Sequence, residues 1–99
     1  MIAQITYDRR LIEQVCKRHR IRRLSLFGSV LRDDFGPGSD VDVLVEFESG
    51  QTPGLRFFDI QEELGRVLGR RVDLNPPQCL SRYFRDEVLT EAMPLYEQA

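Results

Sequence analysis

The sequence predicts an α/β fold: a small mixed sheet with helices packed on one face. Three observations predict it. Val41, Val43 and Val45 point one way from a segment at about 40–47, with Asp40, Asp42 and Leu44 pointing the other, which is the period of a strand. Phe57, Ile60, Leu64, Val67 and Leu68 share one face of a helix at about 57–68. The connection through Gly36-Pro37-Gly38 is too short for a long crossover, so the 40–47 strand pairs antiparallel with one neighbour and the sheet is mixed.

Taken in order, the first helix is expected at about 7–19. Leu11, Ile12, Val15 and Cys16 form its apolar stripe, and Lys17, Arg18, His19 and Arg20 lie at its C-terminal end, where cations suit the helix dipole. A short strand follows at 22–27, with Leu24 and Leu26 on one face. Gly28-Ser29 interrupts it and opens a short helix at about 30–33. After the Gly36-Pro37-Gly38 turn come the 40–47 strand, a loop at 49–54 and the 57–68 helix, with Gly69 fitting its C′ position. A third short strand at 71–74 is stopped by Pro76-Pro77. Ser81 is expected to cap a last helix that runs to about Ala92 and is ended by Pro94. The predicted order is α-β-α-β-α-β-α, in one domain spanning 1–99.

Composition narrows the function. A length of 99 residues allows one core, enough for one active-site face but hardly for a second domain to hold a large acceptor. No apolar run approaches a bilayer span and residues 1–10 carry no signal-type apolar stretch, so a cytoplasmic protein without membrane contact is expected. The net charge of -2 speaks against a general nucleic-acid binder. A single lysine, Lys17, leaves no P-loop. With His19 the only histidine, and Cys16 and Cys79 far apart, a structural zinc site has almost no ligands to draw on and a His-based triad is disfavoured; the two cysteines read as reduced thiols.

The chemistry is concentrated in Gly28-Ser29, the ten-residue spacer 30–39, and Asp40-Val41-Asp42. Residues i and i+2 of a strand project from one face, so Asp40 and Asp42 can lean onto one or two hard cations. Eight Asp in 99 residues produce such a pair by chance roughly 0.6 times, so the pair alone means little. Its setting raises it: two like charges in the most apolar strand are unfavourable unless a cation or a site needs them. Gly28 at a strand end lets backbone approach a ligand closely, and Ser29 offers a hydroxyl beside free N–H groups that suit phosphate. Asp73, in the short apolar strand Val72-Asp73-Leu74, joins the first two carboxylates if that strand pairs beside the Asp40 strand, and could then take a proton from an attacking hydroxyl.

Gly28-Ser29, the spacer, Asp40-Val41-Asp42 and Asp73 together resemble the signature of the polymerase-β-like nucleotidyltransferases. More specifically, the chain resembles the minimal nucleotidyltransferases (MNT), the antitoxin half of HEPN/MNT toxin–antitoxin pairs. The resemblance covers the leading helix, 24–47, 64–74 and the closing Glu91-Ala92-Met93-Pro94-Leu95-Tyr96. It implies a polymerase-β-like fold and AMP transfer from ATP, with Mg²⁺, two ions being expected, to a tyrosine of a HEPN ribonuclease toxin. By position it implies that Gly28, Ser29, Arg32 and Ser39 bind the nucleotide. Asp40, Asp42 and Asp73 would be the catalytic and metal-binding carboxylates, with Asp73 the base. Leu31 and Asp33 depart from the family pattern, where many relatives carry a small residue and Gly. The expected partners are ATP and the HEPN toxin, in a homo- or hetero-oligomer. The alternative is a non-catalytic antitoxin that neutralises its toxin by binding, for which Phe57, Phe58, Tyr83, Phe84 and Tyr96 would supply an interface. Nucleotidyl transfer to a small molecule ranks last, because such relatives carry an additional helical domain.

Overall fold

A computed structural model describes residues 7–31, 36, 38–83 and 85–98. The chain begins with helix α1 (Arg9–Arg18), which starts at Asp8 because the Asp8 carboxylate accepts from the N–H groups of Arg10 (2.9 Å) and Leu11 (3.4 Å), two donors that the first turn cannot satisfy itself. Ile12, Val15 and Cys16 are buried as the stripe requires, but Leu11 sits at its edge and is exposed. The helix exits through Arg20, whose φ of 59° is left-handed, a position where glycine is usual.

Strand β1 (Ile21–Phe27) runs antiparallel to β2 (Val41–Phe47), with Leu26 opposite Val43 and Phe27 opposite Asp42. Between them, Gly28–Leu31 forms a short 3-10 helix that begins two residues before the short helix expected at about 30–33, whose last two positions lie outside the described residues. Fully buried Val30 pins this turn to the core, and Leu31 packs partly against the same cluster. Helix α2 (Arg56–Leu68) buries Ile60, Leu64 and Leu68 and ends at Gly69 with φ 67°, the left-handed C′ glycine that the sequence suggested. It leads into β3 (Val72–Asn75), parallel to β2 with Val41 opposite Val72 and Asp42 opposite Asp73.

The end of the chain differs from expectation. Helix α3 (Arg85–Glu91) is shorter than the predicted 81–92 helix. Ser81 does not cap it: its hydroxyl accepts from the Tyr83 N–H at 3.3 Å. The residues after it form a fourth strand, β4 (Met93–Glu97), antiparallel to β1, so the element order is corrected from three strands to four. Pro94 permits this because β4 is an edge strand in the order β3-β2-β1-β4, where a missing N–H costs no ladder bond on the open side.

The mixed sheet packs α1 and α2 against one face, with Leu24, Leu26, Val41, Val43, Val45, Val72, Leu74 and Leu95 in the shared core. The Asp42 side of the sheet is covered in part. Ser25 and Leu44 are register partners and both are buried. Among the described residues no helix is long and apolar enough to cross a membrane.

Candidate active site

The register of the sheet builds the site. Phe27, Asp42 and Asp73 stand side by side across β1, β2 and β3. Two aspartates as direct parallel partners on one face repel each other and are tolerated where a cation or a donor-rich ligand meets them. Asp42 is half-buried and Asp73 is exposed, so the pair opens to solvent on the β3 side.

Gly28 follows Phe27 with φ 75°. A Cβ placed there would lie 3.2 Å from Asp42 Cγ and nearer still to Oδ2. Only glycine both adopts this φ cheaply and lets the Gly28–Ser29 backbone sit directly on the Asp42 carboxylate. Ser29 continues the 3-10 turn. Within Gly28–Leu31, the N–H groups and the Ser29 hydroxyl can meet phosphate by local hydrogen bonds.

Phe27, Gly28, Ser29 and Asp42 line a cleft of about 470 Å³ whose other wall is α3, through Glu87, Val88 and Glu91. Those three were not expected at the site. Their i, i+4 glutamate spacing on a helix following the last acidic strand was the available signal, but it is also that of any solvated helix face.

Asp40 lies one residue before β2, and its carboxylate Oδ1 accepts from Arg71 Nε at 2.6 Å. Ser39 is engaged in its own loop: its N–H donates to the Gly36 carbonyl (3.0 Å) and its hydroxyl accepts from the Gly36 N–H (3.1 Å). Arg32 and Asp33 lie outside the described residues. The structure therefore brings Gly28, Ser29 and Asp42 to one cleft and Asp73 into register with Asp42, while Asp40 is ion-paired with Arg71 and lines a separate hollow.

The donor set can be weighed against a divalent metal. Carboxylate oxygens from Asp42 and Asp73 are the hard ligands that Mg²⁺ takes. Among the described residues no three His, Cys, Asp or Glu side chains stand ready around one point. Two neighbouring carboxylates, Asp42 and Asp73, fit a divalent cation by their chemistry, while Asp40 is paired with Arg71.

A glycine turn laid on one of two register-paired aspartates can serve phosphoryl or nucleotidyl transfer. The chain belongs to the nucleotidyltransferase domain family, whose model matches residues 8–96, and it is a nucleotidyltransferase. It is 35% identical over 82 residues to the protein adenylyltransferase MntA of Thermococcus cleftensis, covering 82% of this chain and 81% of that one. A solved minimal nucleotidyltransferase shares 38% identity over 87% of both chains, with a TM-score of 0.72. An MNT antitoxin in complex with a tri-AMPylated HEPN toxin of Shewanella oneidensis shares the fold: TM-score 0.63, 20% identity, 91% of this chain and 70% of that one.

Proposed function

We propose that the protein is a Mg²⁺-dependent protein adenylyltransferase, an antitoxin that transfers AMP from ATP to a tyrosine of a partner HEPN ribonuclease toxin. The observation that carries this reading is the Gly28–Ser29 turn seated on Asp42, itself the register partner of Asp73. Support for a protein acceptor comes from the MntA relative, named as a protein adenylyltransferase. The toxin partner follows from the resemblance to MNT antitoxins and from the AMPylated HEPN toxin in the complex that shares the fold.

In this reading Gly28 and Ser29 hold the β- and γ-phosphates of ATP with the turn's N–H groups and the Ser29 hydroxyl. Asp42, Asp73 and Asp40 would hold Mg²⁺, which neutralises charge on the triphosphate and supports in-line displacement when bound. The phenolic oxygen of the acceptor attacks the α-phosphorus; the new P–O bond forms as the bond to pyrophosphate breaks. Asp73, the more exposed partner of the pair, takes the phenolic proton. Glu87 and Glu91 leave the cleft rim acidic, so it favours hydrogen-bond donors of the nucleoside or acceptor over further phosphate.

A second reading has support of its own. Of the aromatics assigned to an interface, Phe57 and Tyr96 pack against the core, whereas Phe58 is 63% and Tyr83 91% exposed; Phe84 lies outside the described residues. Exposed rings of this kind suit a chain that masks its toxin by contact alone. One experiment separates the two. The chain is incubated with labelled ATP, Mg²⁺ and a candidate HEPN toxin, the product of its neighbouring gene being tried first, and growth of toxin-expressing cells is scored in parallel. Enzymatic silencing predicts labelled toxin and rescued growth, both lost in Asp42→Asn. No label on the toxin, or rescue by Asp40→Asn/Asp42→Asn/Asp73→Asn equal to wild type, rejects it in favour of masking.

A further inference from the structure

Two consecutive arginines hold the segment that carries Asp40, and neither has a role in the reading above. Arg70 Nη2 donates to the carbonyls of Gly36 (2.6 Å) and Ser39 (3.3 Å), closing the turn that Ser39 also closes from within. The Arg71 carbonyl accepts from the Val41 N–H at 2.9 Å, and Arg71 Nε donates to Asp40 Oδ1 at 2.6 Å. Both arginines, with Gly69, Gly38, Ser39 and Asp40, line an open hollow of about 350 Å³. Two residues beyond Arg71, β3 brings Asp73 into register with Asp42. One short segment, Gly69 to Asp73, thus carries one of the three predicted carboxylates and meets the other two, Asp40 through Arg71 and Asp42 through strand register.

The Arg71–Asp40 pair is the exchangeable part. The two side chains are 77% and 44% exposed, so water competes with the pair and holding it gains little. A divalent cation that takes Asp40 as a ligand competes with the guanidinium for the carboxylate and sits near its positive charge. We propose that Arg71 is a positioning residue that occupies the Asp40 carboxylate in the metal-free enzyme and is exchanged for the cation, while Arg70 keeps the Gly36–Ser39 turn in place so that Asp40 returns to one position. This rests on the metal-dependent reading above. Arg71 thereby weakens metal binding and makes Asp40 the last ligand to engage.

The test is Mn²⁺ binding to the full chain with a non-hydrolysable ATP analogue present, free Mn²⁺ being read from its paramagnetic resonance amplitude. Arg71→Gln is expected to bind Mn²⁺ about 2- to 5-fold more tightly, the fold-change that removing an exposed competing pair allows. Arg71→Lys, which keeps the charge, is expected to bind as wild type does. An unchanged or weaker affinity in Arg71→Gln overturns the proposal, as does Arg71→Lys binding as tightly as Arg71→Gln. If wild type binds no Mn²⁺, or Asp42→Asn/Asp73→Asn binds it as well as wild type, the metal reading itself falls and the exchange with it.

Discussion

At Gly28 two constraints meet on one missing atom. Its φ of 75° disfavours any side chain, and the space a Cβ would take is filled by the Asp42 carboxylate. Gly28→Ala must either swing the turn or push Asp42 off its register with Asp73. The left-handed strain costs about 1 kcal/mol, a modest loss for the fold, while displacement by a fraction of an ångström at reacting groups costs roughly 100-fold in rate. AMP-transfer rates and thermal melts on one preparation check this: activity should collapse while most of the melting temperature survives. Gly54→Ala, where an added Cβ meets nothing within 4 Å, should change neither. Retained transfer in Gly28→Ala would break the link between this turn and the chemistry. Sequence reasoning placed Gly28 at a close approach. It did not show that the approaching group is Asp42, because that depends on Phe27 and Asp42 being register partners.

The elements show where local pattern suffices and where the sheet decides. Alternation at Val41, Val43 and Val45 and the stripe through Ile60, Leu64 and Leu68 each report a single buried face, so β2 and α2 were readable within a residue or so. β4 was not, because Pro94 stops a helix by local rules, and its tolerance in a strand depends on lying at the edge of a sheet, which no local window contains. Arg71 was equally hidden: it stood as the first residue of the expected 71–74 strand, and its partner Asp40 is 31 residues away. Between α2 and β3 the controlling residue is Gly69, with φ 67° and open space around it. Gly69→Ala therefore meets backbone strain without a clash. It should cost about 1 kcal/mol, which for a domain of this size lowers the melting temperature by roughly 4–8 °C. A melt within a degree of wild type would show that α2 can end without the left-handed residue.

Across the whole molecule, packing of α1 against α2 and the sheet sets the response to pH from both sides. On the acid side stands Glu63 of α2. Partial burial pushes its carboxyl up, but hydrogen bonds from His19 and Arg18 at the end of α1 outweigh this, and its pKa is held below the usual 4.5. A carboxyl whose folded value is depressed contributes stability above its unfolded value and loses it as pH falls through the folded one. On the alkaline side stands Cys16, buried where α1 meets the core. Burial first, and Glu13 second, push its thiol from 9.0 up to about 12. Tyr96 of β4 is raised in the same direction, chiefly by burial. Groups whose folded values are raised contribute fully below their unfolded values and lose that contribution as pH climbs toward the folded ones. The molecule should therefore hold a plateau in melting temperature from about pH 5 to pH 9, the span between the unfolded values of Glu63 and Cys16. It should fall away below pH 4.5 and again between pH 9 and about 12. Melting curves across that range check it with two variants. Glu63→Gln should flatten the acid limb and leave the alkaline one, and Cys16→Ala should lower the plateau through its cavity yet soften the alkaline fall. The α1–α2 contact that joins the two groups fails as an account of the profile if each variant merely shifts the whole curve down, its shape unchanged.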